Sequence, residues 1–471
     1  MNIAGASAKL FTSSVFNTAV GFLGVTFFAR ELGAAQLGVF FLFEAVLGLL
    51  AVVADFGLRG AVEKRISEGR PGGEILGTAL AIKAVPIAGA AVVLVLASGL
   101  VNGYVGADIA GYLFVGLVLR ELAETQQTVL SGEERVGETA APEVARQVVW
   151  VGVGIVLVLK GYGVVGLIYG LLLGWTVMFL WSRHRSEIPI GRPTLRSGRS
   201  LFEFSKYHVV SKVQGYAYSW IDVVIIGIFL TQTEVGAYEV AWRVTEATVL
   251  LSNAVALAVF PRISRWHAKG RTDQIGDLIS NSIVPTLVLV IPAFGGVLLL
   301  SADILEFVFG PEYVLASLVL VILSGEKVLQ ALYRLFHRGI HGIDRPDLAA
   351  RTVVLVLLTN VILNLLFVRR YGIEGIAVAT TVSFVLGTFL HGRDLLRSVP
   401  LRFPGREVGW CVLATVLMMA GVEVIGTRFP VDSLVSLLLL AAFGVLLYGS
   451  LLVLYPPLWR RLQRTLRALL P

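Results

Sequence analysis

About fourteen apolar stretches, most of them roughly 18–25 residues long, run through this chain and are separated by short polar connections. Such a stretch matches the hydrocarbon thickness of a bilayer. In hydrocarbon only a helix or a closed barrel satisfies its own backbone hydrogen bonds. The stretches fall at 11–29, 36–56, 79–100, 109–130, 144–159, 162–181, 208–230, 235–260, 276–300, 314–335, 348–368, 371–392, 408–426 and 433–454. They predict an all-α, polytopic membrane protein with about 14 transmembrane helices. Of 471 residues 56% are apolar and only 15% charged, more apolar surface than a soluble domain can cover.

The connections take turns at being basic. Those after the second, fourth, sixth, eighth, tenth and twelfth stretches, with the C-terminal tail, hold most of the loop lysine and arginine. The intervening ones hold only Arg30, Lys160, Arg369, Arg370 and Arg428. Positive loops stay on the cytoplasmic side, so both termini are expected inside a multi-pass protein of the cell membrane. The net charge of +7 then reflects topology and attraction to anionic headgroups, with no nucleic-acid partner implied. The first stretch, behind Lys9, resembles a secretory signal. Its long core and lack of a small-x-small cleavage site favour an uncleaved first helix. The one cysteine, Cys411, excludes an internal disulfide.

The chain reads as two copies. Leu32-Gly33-Ala34-Ala35-Gln36-Leu37-Gly38-Val39-Phe40 returns as Leu230-Thr231-Gln232-Thr233-Glu234-Val235-Gly236-Ala237-Tyr238. Tyr162-Gly163-Val164-Val165-Gly166 returns as Tyr371-Gly372-Ile373-Glu374-Gly375, with Gly170 and Gly174 matched by Ala379 and Ser383. Gly132-Glu133-Glu134-Arg135 matches Gly342-Ile343-Asp344-Arg345. Small residues four apart let helices approach closely where lipid offers no hydrophobic drive. The expected organisation is a six-helix lobe over 1–181, a basic cytoplasmic linker over 182–207, and a second six-helix lobe over 208–392. Two additional helices and a basic tail follow over 393–471. Six spans per lobe preserve orientation, so the repeat is parallel, and such lobes commonly rock around a central site.

Phe28-Ala29-Arg30-Glu31-Leu32-Gly33, then Gln36-Leu37-Gly38-Val39-Phe40 and Asp55-Phe56-Gly57-Leu58, resembles the opening of the polysaccharide-transporter (Wzx-type) flippases. These are members of the multidrug/oligosaccharidyl-lipid/polysaccharide exporter superfamily. The paired Tyr-Gly-x-x-Gly helix starts are similar to that family too. The resemblance implies a non-enzymatic flippase for a polyprenyl- or dolichyl-(pyro)phosphate-linked oligosaccharide, working by alternating access. An ion-coupled drug or metabolite antiporter on the same scaffold is the nearest alternative. A glycan polymerase or ligase fits less well, because the outer connections are short and hold five bases.

Charges inside a bilayer are costly, roughly 2.5–3.5 kcal/mol each on insertion scales, and so point to function or to partners. Glu239, Arg243 and Glu246 fall at i, i+4 and i+7 on one face of the eighth span. Arg243, with a planar fork suited to phosphate, is the first candidate for substrate contact; an ion pair with the two glutamates is the other reading. The tenth span carries Glu326, Lys327, Gln330 and Arg334, and the fourth carries Arg120, Glu121, Glu124 and Gln127. Glu124 and Arg334 stand at equivalent positions, as an acid and a base of a gate. Arg334 and Arg120 are also near enough to the headgroups to snorkel, whereas Lys327 lies deeper. Lys83 on the third span either joins a cationic lining or snorkels. Asp222 on the seventh has no base within a turn, which suits a proton or sodium ion or a distant base. Arg30 guards an outer mouth or anchors its helix. His337 and His341 lack a zinc-site pattern, so no metal is expected. Pro86, Pro285 and Pro292 are expected to kink their helices. No nucleotide motif and no cofactor signature is present, and the protein is expected to act as a monomer with membrane lipids, the lipid-linked oligosaccharide and Na+ or H+ as partners.

Overall fold

The computed structural model describes the backbone of residues 3–469 and the side chains of residues 9–206, 209 and 213–463. Tyr207 and His208, where the linker meets the seventh stretch, and Arg464 and Arg467 of the basic tail lie outside the described side chains. The described residues are helical with short connections and contain no strand. The helices are α1 (Ile3–Asp55), α2 (Leu58–Ser67), α3 (Gly72–Leu96), α4 (Ser98–Val105), α5 (Ala110–Gly132), α6 (Ala140–Leu159), α7 (Gly163–Arg185), α8 (Leu195–Phe229) and α9 (Gln232–Glu246). They continue as α10 (Leu250–His267), α11 (Thr272–Leu287), α12 (Val290–Ile304), α13 (Ser317–Gly342), α14 (Pro346–Ser398), α15 (Gly405–Arg428), α16 (Leu434–Val453) and α17 (Pro456–Leu469).

Ten helical segments among the described residues are long and apolar enough to cross a membrane. Two of them hold a pair of the expected spans each. Helix α1 is interrupted at Gly33 (φ 76°, ψ 172°) and α14 at Gly372 (φ 57°, ψ −140°), backbone conformations open to glycine. The fourth expected span is α5, whose Arg120, Glu121 and Glu124 lower its apolarity; the seventh is the end of α8, apolar over Val213–Phe229. Together these account for the fourteen stretches and make the chain a multi-pass membrane protein.

The chain forms two compact units, Met1–Gly236 and Ala237–Pro471. In unit 1, α6 packs on α7 and α1, and α8 packs on α1, α2 and α3. Leu58, Val62, Ile66, Ile75, Leu76, Val129 and Leu201 close a core under α2. In unit 2, α13 packs on α14 and α10, while α15 and α16 pair beside α12. Helix α17 lays Leu458 and Leu462 into the core formed with Cys411, Met418 and Tyr448.

The repeat extends to backbone angles. Gly163 and Gly372, the second residues of the paired Tyr-Gly motifs, have φ of 54° and 57°. Glu134 and Asp344, equivalent non-glycine residues, sit left-handed at φ 59° and 58°. The residue after each closes the turn, Arg135 N to Leu130 O at 3.0 Å and Arg345 N to Ile340 O at 3.2 Å. A further turn is matched between the units: Gly69 and Gly270 (φ 76° and 68°) are followed by Arg70 N to Arg65 O and Arg271 N to Trp266 O bonds of 3.2 and 3.0 Å. These are helix C-terminal caps in which a left-handed residue lets the chain turn back and satisfy orphan carbonyls.

The connection after α7 is extended over 186–194 and is strapped down, while residues 195–207 are already helix α8. One oxygen of Glu133 accepts from Ser186 Oγ, Glu187 N and Ile188 N at 2.9, 3.0 and 3.1 Å. Gly191 N donates to Gly73 O at 2.8 Å, and Thr194 N to Thr78 Oγ1 at 3.0 Å. In unit 2 the chain leaving α14 uses the same device, with Arg402 N donating to Ser280 Oγ at 2.9 Å. Gly77 and Gly276 are glycines because Gly191 O and Pro400 O, respectively, pass where a Cβ would stand.

Pro86 lies inside α3, which continues through it. Its carbonyl partner one turn back loses a donor without ending the helix, as membrane helices tolerate. At Pro292 the expectation meets a real break between α11 and α12. Proline has no N–H to give Val288 O, four residues earlier. Tyr448 OH supplies that bond at 2.9 Å, and Ser252 Oγ donates to Thr286 O at 2.6 Å.

Candidate functional site

Each unit buries one charged cluster built around a lysine. In unit 1, Asp55 ends α1, and the left-handed pair Phe56 (φ 44°) and Gly57 (φ 76°) lets the chain restart as α2. Arg59 N donates to Asp55 Oδ1 at 3.1 Å, so the carboxylate caps α2. Lys83, on α3 and only 2% exposed, sets its ammonium 2.9 Å from Asp55 Oδ1 and 2.8 Å from Glu121 Oε2, and donates to Thr125 Oγ1 at 2.8 Å. Three donors meet three acceptors. It neither snorkels nor lies open.

Arg59 continues the network. Its Nε is 2.9 Å from Asp55 Oδ1, it pairs with Glu124, and its Nη2 is 3.7 Å from Glu121 Oε1. Arg120 Nε lies 2.9 Å from Glu124 Oε1. The Arg120 and Arg146 guanidinium groups stand 5.7 and 4.8 Å from the Trp175 ring centroid, a favourable use of the aromatic face. Three bases (Arg59, Lys83, Arg120) thus balance three acids (Asp55, Glu121, Glu124). A cavity of about 390 Å³ opens beside them, bordered by Arg59, Arg120, Glu124, Tyr216, Ser219 and Trp220.

Unit 2 repeats the idea with fewer charges. A short 3-10 turn at Ala247–Val249 interrupts the eighth span immediately after Glu246. Lys327, 1% exposed on α13, holds Glu246 Oε1 at 2.7 Å and Glu326 Oε2 at 3.0 Å, with the Trp242 ring centroid 5.4 Å from its ammonium. Arg334 Nη2 is 3.6 Å from Glu246 Oε2 and hydrogen-bonds Asn253. Gln330 donates to Glu326 Oε1 at 3.1 Å. One turn before Glu246, Arg243 Nε is 3.0 Å from Glu239 Oε1.

The residues picked from the sequence are therefore distributed as follows. Lys83, Arg120 and Glu124 meet in unit 1, and Glu246, Glu326, Lys327 and Arg334 meet in unit 2, with the Glu239–Arg243 pair on the same helix as Glu246. Arg30 is exposed on α1 just before the Gly33 interruption, and Asp222 is half-buried on α8. His337 and His391 share a 3.2 Å ring-nitrogen contact beside Tyr333 and His341. Three members of the unit 1 cluster were not singled out from the sequence as site residues: Asp55, Arg59 and Glu121. Arg59 falls in the basic connection after the second stretch. Its spacing of four from Asp55, inside the motif Asp55-Phe56-Gly57-Leu58, was the available signal.

Chemically, each cluster is a set of guanidinium and ammonium groups held by carboxylates at near-neutral total charge. A phosphate can bind such an arginine fork only in competition with the carboxylate already there, which must then be protonated or paired elsewhere if the low-dielectric interior is to stay near neutral.

The chain matches a family model described as polysaccharide biosynthesis protein over residues 27–318. It is 46% identical over 471 residues to a probable low-salt glycan biosynthesis flippase of Haloferax volcanii, covering 100% of both chains. A second probable flippase of that organism is 29% identical over 459 residues, covering 96% of this chain and 95% of the other. Among solved structures, the lipid II flippase MurJ in an inward closed conformation superposes with a TM-score of 0.80 at 17% identity, over 94% of this chain and 97% of that one.

Proposed function

Because the chain belongs to the family of polysaccharide biosynthesis proteins, we propose that it is a flippase for a polyprenyl- or dolichyl-(pyro)phosphate-linked oligosaccharide, serving surface polysaccharide or glycoprotein assembly. The observation that carries this is the 46% identity, along the whole of both chains, to a probable glycan biosynthesis flippase. The protein moves its substrate without chemistry, by exposing charged helix faces alternately to the two sides of the membrane. The two ends of that cycle must bind the substrate with different affinity, since equal binding would shift no population.

Phosphate contact is assigned to Arg120, Arg243 and Arg334, whose side chains keep 26%, 28% and 23% exposure, with Arg30 receiving the substrate at the outer end. Lys83 and Lys327, at 2% and 1%, instead hold buried carboxylates in place, Asp55 and Glu121 with Lys83 and Glu246 and Glu326 with Lys327. Asp222 with Glu239, Glu246, Glu326 and Glu124 supplies the sites for a coupling Na+ or H+. Both termini lie in the cytoplasm and the protein acts as a monomer.

Deleting the gene and following lipid-linked and surface glycans by mass spectrometry tests this. Loss of surface glycan, with the complete lipid-linked precursor retained on the inner leaflet, is the expected result. Unchanged surface glycan in a strain without a second flippase gene would sink the proposal.

A further inference from the structure

Unit 1 carries a second concave site, away from its ion cluster, with a volume of about 1030 Å³. One wall is the face of α1 that presents Lys9, Thr12, Ser13 and Phe16; the floor is the α6 face of Ala140, Ala141, Val144, Ala145 and Val148; Trp181 and Arg185, one turn apart on α7, close the end. Small residues on a membrane helix normally mark a place where a neighbouring helix packs tightly. Here the alanines of α6 face an open groove instead.

The groove is graded. Phe16 and Val148, 44% and 46% exposed, form its apolar length. Its polar end gathers Lys9, Arg185 and Glu138. Glu138 is held by Arg135 through two bonds of 2.9 Å and stands 3.9 Å from Arg185, while no ion pair is found for Lys9 among the described residues. The basic end therefore exceeds its acid by one charge. Trp181, 40% exposed beside Arg185, is the residue type that settles at the boundary between hydrocarbon and headgroups. Among the described residues, Thr12, Ser13 and Trp181 are the neutral hydrogen-bonding side chains along the walls, which suits a phosphate and a hydrocarbon tail better than a sugar.

We propose that this groove is a binding site for an anionic phospholipid of the surrounding leaflet. Its phosphate sits between Lys9 and Arg185, and one tail lies along Phe16, Val144, Ala145 and Val148. Basic residues next to a membrane helix attract anionic lipid, and the groove adds a shaped apolar seat. By the alternation of basic connections this end is cytoplasmic. The site is separate from the glycan-handling clusters and does not depend on the flippase reading.

Native mass spectrometry of the full-length protein, with phosphatidylglycerol, phosphatidylcholine and undecaprenyl phosphate as probes, tests the assignment. The wild type should retain phosphatidylglycerol over phosphatidylcholine. The exposed double variant K9E/R185E should lose that preference by on the order of tenfold or more while keeping its circular dichroism and elution volume. A145F, which fills the seat, should lose retention of both lipids. Unchanged phosphatidylglycerol retention in folded K9E/R185E overturns the proposal. So does displacement of phosphatidylglycerol by equimolar undecaprenyl phosphate, which would make the carrier lipid the occupant.

Discussion

Lys83 in unit 1 and Lys327 in unit 2 each sit between two carboxylates, yet they are not copies of one another. Lys83 is on the third span, reaching Asp55 at the end of the second and Glu121 on the fourth. Lys327 is on the tenth, reaching Glu246 on the eighth and its own neighbour Glu326. The turns, in contrast, are copied to within a few degrees, as at Glu134 and Asp344 or Gly163 and Gly372. The turns match between the units, whereas the buried charges are paired differently in each. The clusters also differ in closure. Unit 1 has a lysine with every donor bonded and a second base, Arg59, bridging the same acids; unit 2 leaves Glu246 a quarter exposed and shared with Arg334.

That contrast can be broken first at the lysines. Lys327→Met removes the ammonium that pairs with Glu326, which is 0% exposed and otherwise bonded by Gln330, and should cost about 3–5 kcal/mol, read as a large drop in thermal midpoint or loss of folded protein in detergent. Lys83→Met should cost less, roughly 1–3 kcal/mol, because Asp55 and Glu121 both keep Arg59. Equal losses would mean that the two clusters are energetically equivalent despite their different construction.

Arginine truncations separate function from stability. Arg120→Ala and Arg243→Ala should each lower glycan transport by roughly tenfold or more, the loss expected for a charge-assisted bond to phosphate. The thermal midpoint of Arg120→Ala, whose partner Glu124 keeps Arg59, should move far less than that of Lys327→Met. Transport at wild-type rates in both variants would remove these arginines from the substrate path.

The smallest effect sharpens the other side of the comparison. Glu134→Gly and Asp344→Gly relieve a left-handed side chain but loosen the unfolded chain, for a net stabilisation of roughly 0.5 kcal/mol each. The two shifts should have the same sign and nearly the same size. Opposite signs in thermal unfolding would show that the equal angles conceal unequal surroundings.

Much of the architecture was legible because its signals are local. Fourteen apolar stretches, Gly33 and Gly372 at the tight joins, and the matched Tyr-Gly starts all report on residues adjacent in the chain. The Gly69 and Gly270 turns were equally local but lie in connections of different sequence, where only the glycine and the following arginine agree. The straps were illegible: Thr194 N to Thr78 and Arg402 N to Ser280 span more than a hundred residues and use hydroxyls with no motif of their own. Pro292 announced a break, yet nothing nearby in sequence said that Tyr448 would take over the bond it vacates.

The sequence by itself determined that this chain crosses the membrane repeatedly, where it turns, and that it is built twice, because apolar length and backbone sterics act over a few residues. Only the tertiary structure decided which charges meet. Asp55, Lys83 and Glu121 come from three helices, and their union depends on how far each helix rotates about its axis, which is set by packing against neighbours distant in the chain. In a medium where an unpaired charge is costly, that rotation makes Lys83 and Lys327 buried tethers and leaves Arg120, Arg243 and Arg334 with accessible forks.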